Sequence, residues 1–338
     1  MVISRADRFQ RRHPVLGFPL AAVYKFFDDQ GNLLAAMLTY YAFVAIFPLL
    51  LLATSIFGFV LQGRPDLQEE ALNSALAQFP IIGDQLGRPE GLTGSVPAVV
   101  VGALAAAYGA LGLGQAIQNT VNTAWAVPRN NRPNPLLMRL RSLLILVVAG
   151  LAVLGLSVFS ALGSSTEVFG PRVNATIRLL IALGTVLIVT LVLTGLSRLA
   201  AARSHSWLRA VPGALVIAVG WQALQLLGAS YARQVLASTS SLNQTFGLVL
   251  GLIGLIFIAS VIGVLGVEVN VVLARGLWPR ALLTPFTDAV DLTDADRRAY
   301  ALYAQSQRRK GFESVTVRFD GRDGDTHEIE QLPRDRPG

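Results

Sequence analysis

Glu268 stands two residues before Asn270, and no other charged residue occurs between Gln234 and Ala274. A carboxylate inside so long an apolar run must be paired or must serve a substrate or ion path, because burying an isolated charge is costly. Arg275, seven residues on, lies two turns away on about the same helix face and is the expected ionic partner. Either Glu268 ties this helix to its neighbours or it works in transport. The other polar residues in apolar runs are amides and phenols. Gly102, Ala106, Ala110, Gly114, Gln118 and Asn122 recur every four residues, with Gln115 and Asn119 beside them. Small residues at that spacing let helices approach closely, and amides then bond across the contact. Gln222 and Gln225 share a face at i, i+3, and Tyr40 and Tyr41 lie below Pro48, which is expected to kink its helix. These groups, with Glu268, fall at similar depth, so they are expected to line a polar cavity open to the cytoplasm. Inter-helix bonding is the competing role for the same amides.

Other chemistry finds no material. Cysteine is absent, and His13, His205 and His327 are far apart. Metal-dependent nuclease chemistry needs clustered carboxylates or histidines, and the tail acids Asp320, Asp323 and Asp325 are spaced as a turn, not as a calcium loop. No phosphate-binding Walker sequence occurs, which excludes ATP-driven transport by this chain alone. No catalytic residue, metal ligand or cofactor is expected, and the chain is read as a non-enzyme.

The elements that must position these residues follow from charge-free runs. Hydrophobic residues make up 53% of the 338 positions and charged residues only 14%, with mean hydropathy +0.53. A soluble domain carries about 25% charged residues. A membrane span needs about 20 apolar residues, and six runs meet that length, at 33–61, 96–126, 142–164, 179–197, 210–232 and 246–272. The fold class expected is an all-α polytopic membrane bundle of six transmembrane helices. An interfacial helix precedes it, from Leu20, Val23, Tyr24 and Phe27 at helical spacing. An outer amphipathic helix is expected over Leu67–Phe79, ended by Pro80. The divisions are 1–32, an N-terminal segment; 33–275, the membrane domain; and 276–338, a soluble tail. In the tail, Thr293 and Asp296 form a capping box for a helix through about Arg309, and Val315, Val317 and Phe319 alternate as in a small hairpin.

Loop charges set the orientation. Arg5, Arg8, Arg11, Arg12 and Lys25 precede the first span; Arg129, Arg132, Arg139 and Arg141 follow the second; Arg198, Arg203 and Arg209 follow the fourth. The opposite loops carry fewer basic residues, diluted by Asp66, Glu69, Glu70, Asp84 and Glu90. By the positive-inside rule both termini are cytoplasmic. The net charge of +7 then reads as topology and contact with anionic lipid, with no nucleic acid as partner. Small-residue helix faces leave room for a homo-oligomer.

Ala35-Ala36-Met37-Leu38-Thr39-Tyr40-Tyr41 running into Phe47-Pro48-Leu49-Leu50 resembles the first helix of the YihY/BrkB family of bacterial inner-membrane proteins, once labelled ribonuclease BN. Asn122-x-x-Trp125, Val211-Pro212-Gly213-Ala214, Tyr231, Phe246-Gly247 and Gly266-Val267-Glu268-Val269-Asn270 continue the resemblance in order. Phe246 stands where the family usually has tyrosine, and the last motif is usually Gly-Ala-Glu-Leu-Asn. The resemblance spans roughly residues 20–275. It implies six helices, cytoplasmic termini and the bacterial inner membrane, and family members are linked with envelope lipid export and serum resistance. The function expected is a transporter or flippase of a lipid or amphiphilic solute; the alternative is a non-transporting scaffold or envelope-assembly factor.

Overall fold

The computed structural model describes residues 2–60, 96–164, 175–201, 206–238, 241–282, 284, 287, 290–320 and 326–329. Its helices are α1 (Val2–Arg12), α2 (Pro14–Asp28), α3 (Gly31–Val60), α4 (Val96–Ala124), α5 (Pro135–Ser164), α6 (Ala175–Ala200), α7 (Trp207–Ser238), α8 (Ser241–Arg275) and α9 (Asp294–Ser306). Strands β1 (Val317–Asp320) and β2 (Thr326–Ile329) pair antiparallel, Val317 opposite Ile329, as the alternation predicts. The capping box at α9 is also formed: the Thr293 hydroxyl accepts from the Asp296 N–H, and the Asp296 carboxylate accepts from the Thr293 N–H.

Four described helices are long and apolar enough to cross a membrane, in the stretches Pro135–Ala152, Leu183–Ala200, Trp207–Gln225 and Val249–Arg275. Helices α3 and α4 cover the first two expected spans and are 30 and 29 residues long. Several helices outrun their apolar runs. Helix α5 starts at Pro135, upstream of the expected Ser142, and carries Arg139 and Arg141 in its early turns. Long basic side chains extend along a helix to reach polar surroundings, so charge does not end the helix where it ends the hydrophobic run. The outer helix expected at residues 67–79 lies outside the described residues. Helix α3 continues through Pro48, whose side chain lies outside the described residues, as do those of Gly102 and Ala106 in α4.

The six long helices close into a ring. Each of α3 to α8 packs on the next, and α8 returns to α3. Helices that follow one another in sequence are thus neighbours in space, the usual arrangement of consecutive elements. Outward, α5 exposes Leu136, Leu140, Leu143, Val147 and Leu151, and α6 exposes Leu183, Leu187 and Leu191 at four-residue spacing. Exposed apolar stripes of this extent suit lipid, since a soluble monomer seldom tolerates them. Inward, contacts depend on small residues. A Cβ at Gly213 of α7 would lie 1.9 Å from the Gly266 carbonyl oxygen of α8, so the two backbones touch there. Gly254 and Gly263, which share α8 with Gly266, have open space above them.

At the end of the ring where α4, α6 and α8 finish, Val121, Ala124, Trp125, Ala200, Val271 and Val272 form one apolar cluster. Ala21 of α2 and Ala299 and Leu302 of α9 are buried in it as well. The N-terminal helix and the tail helix therefore share a core with the membrane helices. On α2, Val23 and Phe27 are exposed, while Ala21, Ala22 and Lys25 are buried.

Candidate functional site

Helix α2 carries Lys25 and Asp28 in its last turn, Asp29 caps its end, and the chain turns sharply into α3 through Gln30, at φ 56°. The turn is tight: the Leu33 N–H donates to the Gln30 carbonyl at 2.8 Å, and a Cβ at Gly31 would fall 2.3 Å from the Phe26 ring. Lys25 and Asp29, at i, i+4, face one way and form an ion pair. Asp28, one residue over, faces another neighbour.

Lys25 points into the ring. Its side chain is 1% exposed, and Nζ lies 3.4 Å from Glu268 Oε2 of α8. It donates to the Ala124 carbonyl at 3.0 Å and stands 5.0 Å from the centre of the Tyr303 ring of α9. Ala124 is the last residue of α4, so its carbonyl has no partner within the helix and lies at the negative end of the helix dipole. A cation there is favoured twice over. Glu268 is fully buried, and among the described residues neither of its carboxylate oxygens accepts a hydrogen bond. The ion that holds Glu268 is thus Lys25, brought from a different helix. Arg275, the partner expected from spacing, donates to the Trp125 carbonyl at 3.1 Å and lies over the Trp125 ring.

A second cluster sits behind the first. Arg280 is fully buried, pairs with Asp296 of α9 and reaches Asp28 Oδ2 at 3.0 Å. Tyr303 donates to the same Asp28 oxygen at 3.3 Å, so one tyrosine joins both clusters. Asp296 accepts further from the backbone of Ala281 and Thr293. Gln10 of α1 donates to the Arg280 carbonyl, and Asp7 accepts from the Leu282 N–H at 2.9 Å. Burial works against the charge of Arg280, yet Asp296 and Asp28 outweigh it and hold the guanidinium above its ordinary value. Burial raises the Asp29 carboxyl above its ordinary value despite the opposing pull of Lys25. Burial, with Asp29 and Asp28 nearby, pushes the Tyr303 phenol well up, so it stays neutral.

The amides serve contacts between helices where their bonds are seen. Gln118 is buried and donates to the Met138 carbonyl and the Ser142 hydroxyl of α5, both at 2.9 Å. Asn270 accepts from the Gly213 N–H at 2.7 Å and donates to the Ala210 carbonyl at 3.1 Å, which fastens the start of α7 to α8 next to Pro212. Asn119 accepts from Arg132 at 3.0 Å. Asn122 is buried, and Gln115, Gln222 and Gln225 are half-buried. Tyr40 is exposed and stacks edge-on against the half-buried Tyr41, whose ring faces Tyr108. The structure therefore joins Glu268 to Lys25 and Asp29, but leaves Tyr40 on the outside.

Reading by apolar runs misses Lys25, Asp28, Asp29, Arg280 and Tyr303, all of which lie outside the spans. One signal was available. Lys25 and Asp29 have the i, i+4 spacing of a helix ion pair, and Lys25 is one of only two lysines among 28 basic residues.

A family model described as Virulence factor BrkB matches residues 22–282. Inner membrane protein YhjD of Escherichia coli (strain K12) is 32% identical over 75 residues, which is 22% of this chain and 22% of that protein. The aligned stretch thus spans about a fifth of the relative's length. No solved structure matches the chain.

Proposed function

The chain belongs to the Virulence factor BrkB family, and from that premise we propose that it is an inner-membrane transporter or flippase of a lipid or amphiphilic solute. In this reading α3 to α8 are six spans, and both termini and the Lys25–Asp29–Glu268 cluster lie on the cytoplasmic side. The observation that carries it is that cluster: three ionisable groups at most 3% exposed, gathered where α2, α4, α8 and α9 meet. Glu268 lies within a span, and an ionisable residue there marks a substrate or ion path by default. Exposed apolar stripes on α5 and α6 put lipid against the ring.

The alternative is a non-transporting scaffold or envelope-assembly factor. Gln118 and Asn270 favour it, because their bonds are made to neighbouring helices and not to a cavity. Reconstitution separates the two. Purified protein in vesicles with fluorescent anionic or zwitterionic phospholipid should accelerate inward-to-outward transfer of lipid, and Glu268→Gln should abolish that while the protein still folds. Vesicles with no transfer for any lipid tested would favour the scaffold. Reporter fusions after residues 134, 204 and 300 should read as cytoplasmic, and after 85, 170 and 240 as external.

A further inference from the structure

We propose that Asp29 and Glu268 together form a binding site for one exchangeable proton, held between two carboxylates that share the single ammonium of Lys25. The argument starts from a count of charges and donors. Lys25 contacts both carboxylates, Asp29 as a close ion pair and Glu268 at 3.4 Å. With all three groups ionised, the cluster bears one uncompensated negative charge out of water's reach. Two carboxylates that share a site ionise as a pair, and the second proton leaves reluctantly.

Among the described residues, no ion pair besides those of Lys25 reaches either carboxylate. From α4 comes the Ala124 carbonyl, which is itself an acceptor and takes one of the three Lys25 protons. Helix α3 contains no charged residue. From α9 comes Tyr303, which offers its ring to Lys25 and gives its hydroxyl proton to Asp28. On α8 itself Arg275 binds the Trp125 carbonyl and ring. On α2 Asp28 is engaged by Arg280, which is shared with Asp296. Asp296 is well supplied, by two backbone N–H groups and the Thr293 hydroxyl besides Arg280. Glu268 is the opposite case: it is fully buried, and among the described residues neither oxygen accepts a hydrogen bond, the Lys25 ammonium standing 3.4 Å away as its ion partner. A proton on the pair neutralises the cluster and turns one of these acceptors into a donor. The raised affinity of Asp29 for a proton, caused by burial, agrees with this.

The inference does not depend on transport and holds for a scaffold as well. It makes an unusual demand on the variants. Removing either acid as its amide should leave a neutral Lys-carboxylate pair, whereas removing Lys25 should leave two carboxylates that both take up protons. Infrared difference spectra of the full chain in lipid nanodiscs, titrated across neutral pH, read this directly. Wild-type protein should show the C=O stretch of one protonated carboxylic acid per chain at neutral pH, lost as pH rises. Glu268→Gln and Asp29→Asn should each remove that band and keep the wild-type melting temperature at pH 7. Lys25→Met should retain the band and enlarge it. Absence of the band in wild-type protein would overturn the proposal. So would its persistence in both amide variants. Failure of both to fold would equally overturn it, since a neutral isostere would then break a plain ion-pair tie.

Discussion

The contact between α7 and α8 gives a prediction whose sign reverses along one helix. A Cβ added at Gly213 would lie 1.9 Å from the Gly266 carbonyl oxygen and 2.5 Å from Asn270 Nδ2. An ordinary contact begins near 3.4 Å, so Gly213→Ala must open the helices by about 1.5 Å against backbone, which cannot rotate aside. Overpacking of this kind costs about 1–3 kcal/mol. Opening the contact also stretches the two Asn270 bonds at 2.7 and 3.1 Å, and membrane hydrogen bonds of this type are worth about 0.6 kcal/mol on average. The expected loss is therefore about 2–4 kcal/mol. Gly266→Ala should behave alike, because its Cβ would meet Ile217 at 2.3 Å and the Gly213 carbonyl at 2.7 Å. Gly263→Ala and Gly254→Ala enter open space and should be neutral or gain about 0.5–1 kcal/mol, the usual advantage of alanine over glycine in a helix. Unfolding in mixed micelles with rising SDS, followed by far-UV circular dichroism, compares all four. Gly213→Ala unfolding together with Gly263→Ala would refute the close approach of α7 and α8.

Other substitutions test the remaining contacts. Gln118→Leu removes the bonds to Met138 and Ser142 and should cost about 1–2 kcal/mol in the same SDS titration; no loss would mean α4 and α5 are held by packing alone. Arg280→Gln leaves Asp28 and Asp296 without their shared cation, at a cost of about 3–5 kcal/mol. Its visible effect should be faster trypsin cleavage at Arg297 and Arg298, and an unchanged cleavage rate would show that the tail helix docks without the ion pairs. Backbone N–H groups of Arg309 and Lys310 hold the exposed Glu313 carboxyl below its usual value. A lowered carboxyl stabilises its turn above the usual carboxylate range, and the turn loosens as pH falls through the lowered value. The amide shifts of Arg309 and Lys310 should therefore titrate together in acid, and Glu313→Gln should abolish the effect; flat shifts in the wild type would contradict it.

Apolar run length, cap residues and strand alternation were enough to place the long helices, the start of α9 and the β1–β2 hairpin. Each of these depends on hydrogen bonds within one segment or between adjacent ones, and the bilayer fixes the length of a span. Helix ends were less legible, as at α5, because a long arginine side chain can leave the apolar zone while its backbone stays helical. The partner of Glu268 was not legible at all. Two helical turns, about 10 Å along the axis, separate it from Arg275, whereas Lys25 lies in another helix and comes within 3.4 Å only once α2 packs on α8. The same holds for Gly263 and Gly266, alike in sequence but facing open space and a neighbouring backbone respectively. Periodicity states which residues share a face of one helix. Which face meets which neighbour, and so which buried charge finds its counter-ion, depends on closing the ring of six helices and seating α2 and α9 on its end, and that was decided only by tertiary packing.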